Sequence, residues 1–154
     1  MTFEQFIKDY SGKGLIKPQK TNIRTIENLI SRSFKELRIA EANIKIDEGT
    51  AFTVAYTAML HAGRSLMFLK GFRPSDGYQH KTVVDFASKI LGKKYEVLVQ
   101  RFDKMRRKRN LFTYEVSITI SELEVKNALK SASQFVKTIK DLIEKENPQY
   151  KFKF

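Results

Sequence analysis

Apolar residues recur at spacings of three and four along most of the chain, which is the pattern of amphipathic α-helices. Residues 2–10 form a short piece of this kind, and the Gly- and Pro-containing residues 11–20 predict a loop after it. A first long helix is predicted to begin near Thr21 or Asn22, either of which can cap it. Residues 47–50 are predicted to end it. Its apolar side carries Ile23, Ile26, Ile30, Phe34, Leu37 and Ile44.

Residues 51–70 are apolar on almost every side, which is typical of a membrane span or of the central helix of a bundle. The bundle is favoured because His61 and Arg64 interrupt the segment and because its Ala and Gly residues let neighbouring helices approach closely. Gly71 is predicted to stop this helix, and residues 72–78 are predicted to form a turn.

Two more helices are predicted at about residues 80–91 and 95–112, separated by a Gly-Lys-Lys break. The apolar stripe of the second consists of Tyr95, Leu98, Phe102, Met105 and Phe112. After it, the alternating residues 114–120 predict an extended piece.

A last helix is predicted to begin at Thr119 or Ser121, with Glu122 or Glu124 placed to complete a capping box. Its core stripe consists of Leu129, Ala132, Phe135, Ile139 and Leu142. Residues 147–154 contain a proline that cannot continue the helix, and they predict a loose tail.

Four long helices and a shorter one, joined by short turns, predict an all-α fold: an antiparallel up-and-down four-helix bundle with an extra short helix. The length of 154 residues fits a single domain over residues 1–154. The chain contains neither of the Gly-rich phosphate-binding fingerprints and no Gly-x-Ser-x-Gly segment. Any chemistry is therefore expected from side chains that project from helices.

The composition argues against several classes of protein. The chain has no Cys and two His, which excludes a disulfide framework and a thiolate zinc site and argues against a metal centre. We expect no metal and no cofactor. The first ten residues lack the layout of a secretory signal, so a cytoplasmic protein is expected.

The charge points to a class of ligand. The chain carries 29 Lys and Arg against 17 Asp and Glu, a formal charge of +12. Such a protein attracts polyanions, because each neutralised phosphate releases condensed counterions. Nucleic acid, an acidic protein and an anionic membrane all fit, and so does a protein that is basic without binding any of them.

The densest charge lies at residues 101–110, with six basic side chains against one Asp. Most of this segment is expected to be a solvated helix face. Five of the six basic residues are predicted to bind nucleic acid: Arg101, Lys104, Arg106, Arg107 and Lys108. Arg109 differs, because a helical turn of about 100° per residue places it in the apolar stripe with Phe102 and Met105. Such a guanidinium is expected to be paired, to lie in a dimer seam, to face a phosphate-binding cleft, or to extend towards water at the helix end.

Asn110 and Tyr114 are four residues apart and share a helical face beside Arg109 if the helix continues that far. Together the three side chains supply donors for a phosphodiester, although no obvious general base lies among them. Glu115 is the nearest carboxylate in the sequence. Lone Tyr and Glu residues near a helix end are also often capping or packing groups.

The two histidines have conservative interpretations. His61 precedes Arg64 by three residues, so both can meet on one helical face, and a buried, hydrogen-bonded role for His61 is favoured over a catalytic one. His80 follows a Gly-containing turn and opens a helix, where capping or packing is expected.

The stretch from Ala55 to Gly92, followed by the basic segment ending at Glu115, resembles the HEPN family of small helical proteins of bacteria and archaea. The Ala-rich helix ending in LKG, the GYQHK turn and the RN-containing helix end occur in the family's order. The resemblance covers about residues 22–145. It implies a helical bundle that is usually a homodimer, with the RN motif facing the dimer cleft.

In RNase members of the family, an Arg followed after four residues by a His cleaves RNA without metal. The resemblance assigns Arg109, Asn110 and Tyr114 to the site, with His61 and Arg64 as neighbours. Tyr114 stands where those members have His, and a tyrosine with an ordinary pKa of about 10 is a weak base. A branch of the family with a similar TYE ending resembles the partners of minimal nucleotidyltransferases in toxin–antitoxin pairs.

Three functions follow as hypotheses. The first is a HEPN protein that binds RNA or a nucleotide in a basic dimer cleft and works with a nucleotidyltransferase. The second is a metal-independent endoribonuclease toxin. The third is an adaptor bundle that binds an acidic protein, with Arg109 in the dimer interface.

Overall fold

The computed structural model describes residues 1–75 and 79–152, and these are mainly helical. Within these residues, four long helices form the bundle, and a shorter helix and one at the start of the chain accompany them. The all-α bundle prediction is confirmed. In chain order the elements are α1 (Phe3–Gly12), β1 (Ile16–Pro18), α2 (Ile23–Asn43), α3 (Glu48–Leu69), β2 (Phe72–Pro74), α4 (Gln79–Leu91), a 3₁₀ turn (Lys93–Tyr95), α5 (Glu96–Tyr114) and α6 (Glu122–Glu146).

Helix α3 is the centre of the molecule, as its all-round apolar character predicts. It packs against α2, α4, α5 and α6. Its Ala55, Ala58, Ala62 and Gly63 are buried, and these small residues let the other helices approach. Within the described residues, no helix combines the length and apolar character needed to cross a bilayer.

Two helix starts use the caps that the sequence offers. The Asn22 side chain accepts a hydrogen bond of 2.9 Å from the Arg24 N–H at the start of α2. At the start of α6, the Ser121 hydroxyl accepts a hydrogen bond of 3.1 Å from the Glu124 N–H. The Glu124 side chain in turn accepts a hydrogen bond from the Ser121 N–H. Ser121 and Glu124 are therefore the pair that forms the predicted capping box.

The end of the first long helix was predicted wrongly. Helix α2 ends at Asn43, and residues 47–50 start the next helix, because Asp47 caps α3 by accepting from the Gly49 N–H. Ile23, predicted to lie in the core, is 50% exposed because it occupies the first turn of α2, beyond the packed part of the bundle.

The sequence also missed a small sheet. Residues predicted as loop and turn contain β1 and β2, which pair antiparallel with Ile16 opposite Pro74. Ile16 is buried against the core, which holds the pair in place. Gly71, at φ +88, provides the predicted stop after α3. Conversely, residues 115–120 contain no strand, since the sheet of the described residues consists of β1 and β2 alone and offers them no partner.

The tail was predicted to be loose, and its described part is packed. Tyr150 is buried, and Phe152 contacts the core and stacks on Tyr150. These two aromatic side chains hold residues after α6 against the bundle. Residues 153–154 lie outside the described part, as do residues 76–78 of the predicted turn.

Candidate phosphate site around Arg109

The basic residues of α5 lie on different faces of the helix. Arg106 and Arg109 flank the buried Phe102 and face α3 and α4, where both act electrostatically on Tyr56 and His80. On the α6 side is a groove of about 550 Å³. Its cationic lining consists of Arg101, Lys104, Lys108 and Lys130. The five predicted nucleic-acid residues therefore do not form one surface, and Arg107 is mostly exposed beside Asp103.

Arg109 is half-buried, in keeping with its place in the apolar stripe. Its Nη1 donates to the Asn110 side-chain oxygen at 3.4 Å. Among the described residues, no carboxylate lies within 4.0 Å of its guanidinium. The charge of Arg109 is therefore solvated only in part and has no counterion within the described part of the chain.

Arg64, on α3, is in a similar position. Its Nη2 donates to the Gln79 side-chain oxygen at 2.7 Å, at the start of α4. Its Nε is buried and has no hydrogen-bond acceptor among the described residues. A buried guanidinium N–H without an acceptor loses its interaction with water and gains nothing in return, so the site favours an arriving anion.

Arg106 differs from Arg64 and Arg109 because, among the residues that the structure describes, it is paired with a carboxylate. Its Nε lies 2.9 Å from the Asp103 carboxylate, which is also within 3.8 Å of Lys81. Burial raises the pKa of Asp103, but the Arg106 hydrogen bond and the nearby cations outweigh it and hold this pKa below its ordinary value. We call Arg64, Arg106 and Arg109 the arginine cluster.

His80 and Tyr56 lie beside the arginine cluster. The Tyr56 hydroxyl oxygen and His80 Nδ1 are 2.9 Å apart, joining α3 to the start of α4. Burial lowers the pKa of His80, and the charges of all three arginines lower it further. Burial raises the pKa of Tyr56, against the opposing effect of the arginines. At neutral pH the pair is therefore an uncharged imidazole and an uncharged phenol.

This arrangement can do two things chemically. The arginine cluster can hold a phosphate group by charge-assisted hydrogen bonds, for which the planar guanidinium is well shaped. A neutral imidazole close to that phosphate can accept a proton. His80 was expected to cap or pack, so sequence analysis missed its place in this site, and it missed Tyr56 and Gln79 entirely.

A weak signal for these three residues was present in the sequence. His80 and Gln79 belong to the GYQHK segment, and Tyr56 belongs to the Ala-rich helix, both part of the ordered motifs. The motifs did not reveal that α4 packs beside α3 and α5, because this is a tertiary contact.

Tyr114 differs from Tyr56 and His80 in its exposure to solvent. Helix α5 does continue to Tyr114, but this side chain is 80% exposed, and Glu115, at the end of the helix, is exposed too. Of the three residues predicted to form the site, Arg109 and Asn110 are in contact. For Tyr114 no hydrogen bond within the described residues is present.

His61 and Arg64 have partners on different helices. His61 Nδ1 lies 2.6 Å from a carboxylate oxygen of Glu36 on α2, whereas Arg64 bonds to Gln79 on α4. The hydrogen bond predicted for His61 is present, but its side chain is 24% exposed rather than buried. Of the two neighbours predicted for the site, only Arg64 acts electrostatically on His80.

Among the described residues, no group of three or more His, Asp or Glu side chains is arranged to hold a metal ion. No curated protein sequence matches the chain. A family model described as the HEPN domain matches residues 26–142, which include α3, α4 and α5 and every residue of the site. The match covers most of the sequence. The chain belongs to the HEPN family.

Proposed function

We propose that this HEPN protein binds RNA or a nucleotide in a basic cleft of a homodimer and works with a minimal nucleotidyltransferase in a toxin–antitoxin pair. One observation carries the proposal: Arg64 and Arg109 are half-buried cations without a carboxylate partner among the described residues. Such groups are costly to keep unless a ligand of opposite charge is bound. A phosphate group supplies both the charge and the hydrogen-bond acceptors.

The charge distribution supports a ligand with several phosphates. The groove between α5 and α6 adds four cationic side chains to those of the arginine cluster, and only Lys108 among them has a carboxylate, that of Glu124 at 3.5 Å, within the described residues. A strand of RNA that contacts both sides of α5 would neutralise several of these cations. The formal charge of +12 would also speed its association.

A protein partner is supported by the exposed apolar side chains around the turn from α5 to α6. Leu111, Tyr114, Val116 and Leu123 are each more than half exposed, in a segment of thirteen residues. Apolar groups concentrated in this way are typical of contact surfaces. The resemblance supplies the kinds of contact: a second copy of the chain and a nucleotidyltransferase. Copurification with the product of the adjacent reading frame tests the contact with a nucleotidyltransferase.

Binding of a short single-stranded RNA at several salt concentrations tests the phosphate site. We expect affinity to fall steeply with salt, since each contacted phosphate contributes about 0.7 to the log–log slope. Arg109→Ala should weaken binding about tenfold or more, because a hydrogen bond to a charged group is lost, and should reduce the slope.

Arg38→Ala is the matched control. Arg38 is exposed on α2, which packs mainly on α3 and α6, so the same change is made away from the arginine cluster. Affinity that does not depend on salt, or equal losses for the two variants, would contradict the phosphate site. A folded protein with no RNA binding would favour the adaptor function instead.

A second function, metal-independent cleavage of RNA, is favoured by one observation. The neutral imidazole of His80 lies beside the arginine cluster. It could supply the base that the site lacks when Tyr114 stands in place of the family's His.

A further inference from the structure

The geometry points to His80 as the catalytic base of an RNA-cleaving site in which Tyr56 positions the imidazole and the arginine cluster binds the scissile phosphate. The inference rests on the proposed function, because it needs RNA to bind at that cluster. Its substrate class is a phosphodiester with a free 2′-hydroxyl. It moves the proton-accepting role from the RN helix to the start of α4.

The first step of the argument is the state of the imidazole. Nδ1 of His80 is 2.9 Å from the Tyr56 hydroxyl oxygen, and among the described residues no group hydrogen-bonds Nε2. When Nδ1–H donates to Tyr56, Nε2 keeps its lone pair. Tyr56 is almost fully buried and fixed between helices, so it holds the ring in one orientation.

The second step concerns the charges that face His80. Arg64 of α3 and Arg106 and Arg109 of α5 act on it directly. Asp103 of α5 acts on the neighbouring Tyr56, whose hydroxyl is uncharged, and Lys81 follows on α4 itself, 3.8 Å from Asp103. The net charge of this set is positive, since Asp103 is the one carboxylate among them and is bonded to Arg106. A positive surrounding keeps His80 unprotonated and attracts the phosphodiester to the same place.

The third step is the reaction that such a set of groups supports. Nε2 of His80 takes the proton from the 2′-hydroxyl, and the 2′-oxygen forms a bond to phosphorus. The bond between phosphorus and the 5′-oxygen of the next nucleotide breaks, and that oxygen keeps the electron pair and takes a proton from water. That water molecule becomes hydroxide, and the imidazolium of His80 then gives its proton to the hydroxide. The products are a 2′,3′-cyclic phosphate and a 5′-hydroxyl end.

In this reaction the arginine cluster stabilises the charge that builds up on the phosphate oxygens in the transition state. Arg64 and Arg109 are suited to this because no carboxylate among the described residues competes for them. Tyr114 is not required, which agrees with its 80% exposure.

The test is single-turnover cleavage of a short RNA by the full chain in the presence of a metal chelator. His80→Asn should lower the rate about 100-fold or more, which is the usual contribution of a general base. His61→Asn is the matched control, because His61 is the other histidine of the chain and is bonded to Glu36. The cleavage rate of this variant should stay near that of the parent. Circular dichroism checks that each variant is folded.

Two further readouts separate catalysis from structure. The parent rate should rise with pH up to the pKa of His80, which lies below the ordinary value, and then level off. Tyr56→Phe should lower the rate about tenfold and shift this profile, because the hydrogen bond to Nδ1 is lost, while RNA affinity is kept.

Binding of an uncleavable oligonucleotide, with 2′-deoxyribose at every position, is measured in the same samples. Binding without cleavage, or equal rates for His80→Asn and the parent, overturns the role of His80 and leaves the phosphate site standing. Absence of binding removes both proposals.

Nuclear magnetic resonance on the unmodified protein gives an answer that does not depend on a variant folding. The oligonucleotide should shift the ring signals of His80 and leave those of His61 in place. The opposite pattern overturns the inference.

Discussion

The two histidines of this chain have opposite electrostatic surroundings. His61 lies 2.6 Å from the carboxylate of Glu36, which is 3% exposed, and Arg32 approaches that carboxylate only to 3.8 Å. His80 is surrounded by guanidinium groups instead. The first residue therefore satisfies a buried carboxylate and supports the fold, while the second lies among cations that would attract an anionic ligand.

We expect His61→Ala to destabilise the protein by about 1–3 kcal/mol, because the buried Glu36 carboxylate loses its closest hydrogen-bond donor. Urea unfolding of the parent, His61→Ala, Glu36→Ala and the double variant measures this. The double variant should be more stable than the sum of the single effects predicts. Additive effects would show that the pair contributes no coupling, and a loss of RNA binding in His61→Ala would place His61 in the site after all.

Among single residues, the partly buried position of Arg109 could be predicted from the sequence, and the contact of His80 with Tyr56 could not. A cation within an apolar stripe is visible in a helical pattern, because the pattern needs only the residue's own helix. The role proposed for His80 depends on Tyr56 from α3 and on arginines from two helices. A role of this kind appears only when the helices are packed.

At the scale of elements, the close approach of α3 to its neighbours depends on glycine. A Cβ atom at Gly63 would overlap the Val83 side chain of α4, and Phe102 of α5 is also nearby. The same position therefore brings together the three helices that carry the site.

Gly63→Ala is expected to cost about 1–3 kcal/mol, since overpacking outweighs the better helix propensity of alanine. Gly12→Ala is the matched control, because a Cβ at Gly12 meets no atom within 4 Å, and its stability should stay within about 1 kcal/mol of the parent. Urea denaturation measures both. A neutral Gly63→Ala would mean that α3 and α4 can separate without cost.

The helices themselves were predictable, because each one buries a stripe set by its own sequence. Helix α6 shows this well: the Ser121 capping box and the buried Phe135 and Ile139 all follow from local pattern. Strands β1 and β2 were not predictable in the same way. Each has three residues with a proline at its end, and the pair forms because the fold brings together residues that are far apart in the sequence, such as Ile16 and Pro74.

At the scale of the whole molecule, the positive charge is not spread uniformly over α5. One part lines the groove with α6, and the other part is half-buried between α3, α4 and α5. Solvated lysines at the groove cost little, whereas half-buried arginines without counterions lower the stability of the unliganded fold. We therefore expect the arginines of the proposed ligand site to lower the free energy of unfolding of the protein without ligand.

Arg109→Met tests this conflict between stability and binding. Methionine keeps much of the side-chain volume and removes the charge, so we expect stability to rise by about 0.5–2 kcal/mol while RNA affinity falls. Arg106→Met is the matched control, because Arg106 is paired with Asp103 at 2.9 Å. Its loss should lower stability by about 1 kcal/mol, a modest cost since Lys81 and Arg107 remain near that carboxylate. Thermal or urea unfolding without ligand compares the two variants. Opposite signs of the stability change would show that the fold keeps an unpaired arginine at position 109 for its ligand, whereas destabilisation by both would mean that Arg109 is as structural as Arg106.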